Sequence, residues 1–205
     1  MRFGPVIALI AGRRSFGAVC TAAYLVVWGA VIGGGEHAGA QRIIPNIREL
    51  LQAARQTERP VFFVADVHLP CDPEIDVWGA HAMRGTEGAE VIGELKPEPS
   101  DTVLEKRTYS AFHETGLDSL LRSLGVDTAV VVGLHTNICD RHTSADAFFR
   151  SYKVLVPDDC VKAFSDEDHR SGLEYLKTVY GARVLGSGKL AREWGATASV
   201  REPAQ

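Results

Sequence analysis

Val130-Val131-Val132-Gly133-Leu134-His135-Thr136-Asn137-Ile138-Cys139 is the stretch in which the architecture of this chain becomes readable. A run of β-branched apolar residues, suited to a strand buried on both faces, stops at a glycine. A short polar turn follows, and Cys139 then opens a helical segment. A strand that hands over to a helix in this way delivers Cys139 to the helix N-terminus, at the carboxyl edge of a parallel sheet, where open α/β sheets bind their ligands. The helix dipole and unsatisfied backbone N–H groups there favour thiolate over thiol, so the position suits a nucleophile. Taken alone, it also suits a buried structural cysteine behind a core strand.

Strands and helices alternate on either side of this stretch. Ile43 to Gln56 reads as a helix, with Ile44, Ile47, Leu50, Leu51 and Ala54 on one face. Val61 to Ala65 and Thr102 to Leu104 read as strands, and Leu117 to Leu124 as a helix stopped by Gly125. Residues 69–100 are rich in proline and glycine and read as an excursion with a short helix around Gly88 to Leu95. Cys139 to Arg150 is expected to be helical with Ala145, Phe148 and Phe149 inward. Lys153 to Val156 is the next strand, Asp166 to Val179 the next helix and Arg183 to Leu185 the last strand. Such alternation implies an α/β fold, three layers α-β-α, with a mostly parallel sheet covered on both faces.

The N-terminal segment, residues 1–40, is atypical. Tyr24-Leu25-Val26-Val27 fits a buried first strand, which the downstream pattern needs. Phe16 to Gly35 also carries no charge, follows Arg13-Arg14 and precedes Ala38-Gly39-Ala40, a pattern that suits an export signal or membrane anchor through residues 13–35. The buried strand is the favoured reading. One domain is expected over residues 41–187, followed by a polar, peripheral tail over 188–205.

A chain of 205 residues can bury one full α/β core. A net charge of −4 with no basic stripe argues against a nucleic-acid partner. Cys20, Cys71, Cys139 and Cys160 are widely spaced with no CxxC pair, so reduced thiols and a cytoplasmic location are expected.

Two further segments carry chemistry. Asp66-Val67-His68 lies just past a strand end and His81 follows after a loop, beside Trp78. One carboxylate with two imidazoles is a fitting ligand set for Zn²⁺, Fe²⁺ or Mn²⁺. Lys106 follows another strand end, where an ammonium beside Cys139 would lower the thiol pKa. Trp78 and Phe112 could wall a pocket and stack on an aromatic ring, or serve as core packing.

With these segments in view, the chain resembles the isochorismatase-like cysteine hydrolases, and among them is most similar to nicotinamidases of the archaeal type. The resemblance rests on Asp66-x-His68 with Trp78-Gly79-Ala80-His81, on Gly85-Thr86-Glu87-Gly88-Ala89-Glu90, on Lys106 to Phe112, and on Gly133 to Cys139 with Arg141 to Ala147. It runs from about Ile43 to Leu185. It implies a six-stranded parallel sheet, a Cys139 nucleophile with Lys106, and metal ligands Asp66, His68 and His81. It further implies a cis peptide at Leu134-His135 that forms an oxyanion hole with the N–H of Cys139. The implied activity is hydrolysis of nicotinamide or a related small carboxamide through a thioester, in a homodimer or higher homo-oligomer with no membrane partner.

The family also places an aspartate at the end of the first strand, as a proton shuttle. Here that position holds Trp28, and no aspartate precedes Asp66. Three readings of this departure compete: a degenerate, non-catalytic metal- or ligand-binding member, a wrong start or reading frame over the first forty residues, or an export signal. An amidase for N-carbamoyl or ureido compounds is a separate alternative, from related amidases.

Overall fold

β-Branched runs separated by amphipathic segments build a parallel sheet in the computed structural model, which describes residues 23–27 and 38–199, with side chains from 40 to 196. The strands are β1 (Ala23–Val27), β2 (Val61–Asp66), β3 (Thr102–Lys106), β4 (Thr128–Leu134), β5 (Lys153–Pro157), β6 (Val161–Lys162) and β7 (Arg183–Leu185). They lie in the order β3-β2-β1-β4-β5-β7, with every neighbouring pair parallel. The expected six-stranded path is joined by the two-residue β6, which pairs with the end of β4. Tyr24 to Val27 takes the central place foreseen for it, between β2 and β4. The chain winds outward in opposite directions from β1 and β4. Their carboxyl ends therefore flank the topological switch point, where α/β sheets hold ligands.

The helices are α1 (Ala38–Gln56), α2 (Pro73–Trp78), α3 (Leu117–Ser123), α4 (Cys139–Phe149), α5 (Asp166–Tyr180) and α6 (Ser187–Ser199). Alternate residues of each strand feed opposite faces of the sheet. Val61, Phe63, Val130 and Val132 pack with Ile47, Leu50 and Leu51 of α1 on one side. Phe62, Val64, Ala129 and Val131 pack with α3, α4 and α5 on the other. Both faces being covered explains why these strands read as continuous apolar runs rather than alternating ones.

Three local readings change. Ala38-Gly39-Ala40, which an export signal would use for cleavage, forms the first turn of α1. Gly88 to Leu95 holds two single 3₁₀ turns, Glu87–Ala89 and Gly93–Leu95. The helix of this excursion lies earlier, at α2, with Pro73 in its first turn. On α4 the buried face is Asp140, Thr143, Ser144 and Ala147; Phe148 and Phe149 are 47% and 72% exposed and cluster with Tyr180. Helix phase decides this: residues 140, 144 and 147 share the stripe facing the sheet, and the two phenylalanines fall beyond it.

The stretch expected as a polar tail contains α6. Leu190 and Trp194, four residues apart on one face, are buried in the core cluster built around α1. The Arg59 guanidinium lies over the Trp194 ring at 5.1 Å. Polar residues outnumber apolar ones in this segment, so composition hides a stripe that needs only two large side chains. Among the described residues no helix is long and apolar enough to cross a membrane. Most of Phe16–Gly35, including Trp28, lies outside them.

Candidate active site

The register of β2 and β3 sets Asp66 directly opposite Lys106 at the carboxyl edge of the sheet. Lys106 is 1% exposed and its ammonium donates a hydrogen bond to Asp66 Oδ1 and another to the Thr108 carbonyl at 2.9 Å. The same ammonium lies 4.0 Å from Cys139 Sγ. Cys139 arrives from β4 as the first residue of α4, after a cis Leu134-His135 peptide. Three residues 66, 106 and 139, read separately as strand-end or helix-start positions, thus meet at one point.

Electrostatics at this point differ from the sequence expectation. Cys139 is 4% exposed, and burial pushes its thiol up to about 12, with Lys106 pulling in the opposite direction. The helix N-terminus therefore does not by itself yield a thiolate, because desolvation of the anion outweighs the attraction of dipole and ammonium. Burial works against the Lys106 charge, but Cys139 and Asp66 outweigh it and the group is held above its ordinary range. Asp140, wholly buried beside the thiol, is pushed up to about 7 by desolvation. Cys71, Cys139 and Cys160 are free thiols, as expected; Cys20 lies outside the described residues.

The structure adds a further carboxylate to the expected metal-ligand set. His68, Glu74 and His81 bring one ligand atom each to within 4.8 Å of one another. The donor chemistry fits a divalent cation. His81 Nδ1 meets the Gly79 carbonyl at 2.8 Å and His68 Nδ1 faces Asp72 at 3.4 Å, so both rings turn Nε2 toward the cluster. His68 Nε2 is buried without a hydrogen-bond partner, with Glu74 Oε2 at 3.8 Å and Asp66 Oδ1 at 4.0 Å. A carboxylate that orients an imidazole from behind is the usual support of a metal-binding histidine. Asp72 is itself anchored: the Arg107 guanidinium holds its carboxyl well below the ordinary range. Asp66, expected as a ligand from sequence, places Oδ1 4.0 Å from His68 Nε2 and is also the counter-charge of the buried Lys106 ammonium. Glu74, on the first turn of α2, is a second carboxylate beside the two imidazoles.

Aromatic side chains from three segments meet one another. Trp78 donates its indole N–H to the Tyr109 hydroxyl at 2.9 Å and stacks with Phe164 at 6.1 Å. Phe164 stacks in turn on His135 at 3.9 Å. Phe112 does not join them. It is buried in the core beside α3, stacked on Tyr152 at 5.8 Å with the Arg150 guanidinium over its ring.

Glu74, Tyr109 and Phe164 were not singled out from the sequence. Asp72-Pro73 is a helix-start signal that would have placed Glu74 in the first turn of α2. Tyr109 lies within the Lys106–Phe112 segment already tied to the site. No local signal marks Phe164, which enters through the β6–α5 connection.

Residues 28–187 match the family model described as the isochorismatase domain. The chain is 32% identical to nicotinamidase 3 of Arabidopsis thaliana over 159 residues, 75% of this chain and 80% of the relative. Among solved structures it is similar to N-carbamoylsarcosine amidase of Thermoplasma acidophilum, 42% identical, with a TM-score of 0.74 over 80% of this chain and 96% of that one. It is also similar to pyrazinamidase/nicotinamidase of Streptococcus mutans UA159, 30% identical, with a TM-score of 0.73 over 80% and 99% of the two chains.

Proposed function

The chain belongs to the isochorismatase family, and we propose that within it this protein is a cysteine-dependent amidohydrolase of the nicotinamidase type. The reading rests on one observation above others: a buried lysine ammonium, fixed by Asp66, stands 4.0 Å from the Cys139 thiol at the switch point of the sheet. Cys139 attacks the carboxamide carbon, and its proton leaves with the departing ammonia. Backbone N–H groups of His135 and Cys139 stabilise the oxyanion, and water then releases the acid from the thioester. Lys106 stabilises the thiolate during attack and holds the carboxylate of Asp66 in place. His68 and His81, with Glu74 or Asp66 as the carboxylate, would hold a divalent cation, whose Lewis acidity suits a pyridine nitrogen. Trp78 and Phe164 offer flat faces for a ring.

Removing the proton from a thiol raised to about 12 requires a base. The family resemblance assigns that step to an aspartate where this chain carries Trp28. Ammonia release from nicotinamide, with Zn²⁺ or Fe²⁺ supplied, therefore belongs beside that of the Trp28→Asp and Cys139→Ser variants. The reading expects release that rises in Trp28→Asp and vanishes in Cys139→Ser. Full turnover by Cys139→Ser would exclude the thioester route. Silence in both the parent and Trp28→Asp would favour the non-catalytic alternative.

A second reading, an amidase for N-carbamoyl compounds, draws on the 42% identity to the carbamoylsarcosine amidase. Running N-carbamoylsarcosine in parallel separates the two, since preference for it over nicotinamide would assign the substrate class.

A further inference from the structure

Gly172 stands inside α5, where glycine weakens a helix relative to alanine. Its reason lies across the helix face. A Cβ at this position would lie 3.1 Å from Thr136 Cγ2, 3.2 Å from Asn137 N and 3.3 Å from Asn137 Cα. Helix and loop thus pack so closely that a methyl group would fit only if the loop gave way by a few tenths of an ångström. Gly195 of α6 provides the contrast, since a Cβ there meets nothing within 4 Å.

The loop against Gly172 is the one that leads into Cys139, and it is held from the same side at three further points. Thr136, wholly buried, donates its N–H to the Lys162 carbonyl at 3.0 Å. Its hydroxyl shares a hydrogen bond with His169 Nδ1 at 2.9 Å. The His135 ring stacks on Phe164. All four contacts come from one continuous stretch, Lys162 to Gly172, which follows β6 and enters α5.

We propose that Gly172 and His169 are positioning residues: packed against Thr136 and Asn137, they set the loop that carries the Cys139 thiol and the backbone N–H groups facing the substrate carbonyl. The proposal rests on Cys139 being the nucleophile. Neither residue touches the reacting atoms. Their effect passes through Thr136 and Asn137, and a methyl at 172 displaces that backbone by a few tenths of an ångström. Misplacement on this scale lowers the rate of attack without changing how substrate binds.

The test compares Gly172→Ala, His169→Ala, His169→Asn and the control Gly195→Ala. Its readouts are kcat and KM for ammonia release, the alkylation rate of Cys139 by iodoacetamide followed by peptide mass mapping, and the melting temperature. Gly172→Ala is expected to lower kcat by about tenfold or more and to change the alkylation rate by about threefold or more, with KM and melting temperature near wild type. His169→Ala is expected to lower kcat by about threefold, and His169→Asn, which keeps a polar atom near Nδ1, to restore most of it. Gly195→Ala should match wild type throughout. Wild-type kcat and alkylation in Gly172→Ala would overturn the proposal, as would a loss of activity matched by a loss of thermal stability. Should no amide be hydrolysed by the parent, the functional reading fails, while the alkylation ratio still decides whether α5 sets the thiol.

Discussion

The Lys106 ammonium lies 4.0 Å from Cys139 Sγ while hydrogen-bonded to Asp66 on the neighbouring strand. Their separation in sequence is 33 residues, and the contact exists because β3 ends beside β2 while β4 ends across β1. A single cation therefore serves one buried carboxylate and one buried thiol. Its removal should be felt in both stability and reactivity.

Lys106→Met would leave Asp66 buried without its counter-ion. Breaking a buried pair from one side typically destabilises by ~3–5 kcal/mol, which for a chain of this size corresponds to a melting temperature lower by about 10 °C. With the ammonium gone, the burial that raises the Cys139 thiol meets less opposition, so alkylation of Cys139 should slow. The double variant Lys106→Met/Asp66→Asn should recover part of the stability and none of the reactivity. Thermal melts and mass mapping of Cys139 check both statements.

Asp140 predicts the direction of a pH dependence. Burial raises its carboxyl from an ordinary 3.8 to about 7. Between these values the unfolded chain has lost the proton that the folded chain keeps, so the folded state binds more protons and stability falls as pH rises from about 4 to about 7. Asp140→Asn has no proton to lose. Its melting temperature relative to wild type should rise between pH 5 and pH 8, and a flat difference would show that Asp140 does not titrate in this window.

Zinc affinity should separate Glu74 from Asp66. Glu74→Gln and His81→Ala each remove an atom of the cluster and should weaken Zn²⁺ binding by at least about tenfold, read by competition with a chromogenic chelator. Asp72→Asn, which acts behind His68, should weaken it by about tenfold as well. Asp66→Asn should instead fall mainly on thermal stability, through Lys106. Loss of zinc from Asp66→Asn with retention in Glu74→Gln would make Asp66 the third ligand, as the resemblance implies.

Trp194→Ala tests whether the final helix completes the core. Removing a buried tryptophan typically costs ~3–5 kcal/mol, so the melting temperature should fall by about 10 °C. Phe149→Ser, at a position 72% exposed, should change stability by less than about 0.5 kcal/mol. A large effect at Phe149 would mean that its aromatic cluster with Tyr180 is covered in solution.

What the sequence determined by itself was local and periodic. Buried runs such as Val130 to Val132 announce strands covered on both faces, the helical spacing of Ile44, Ile47, Leu51 and Ala54 announces α1, and the glycine-ended strand before Cys139 places the thiol at the ligand-binding edge. These follow from backbone geometry and burial, which neighbouring residues encode. Tertiary structure alone decided the partnerships: Asp66 with Lys106, Glu74 beside the two histidines, Phe112 into the core, Phe148 and Phe149 away from it, and Leu190 and Trp194 onto α1. It also decided that the Cys139 thiol is raised, because desolvation depends on everything packed around a group. Strand register and helix phase bring together side chains that are tens of residues apart, and no local pattern carries that information.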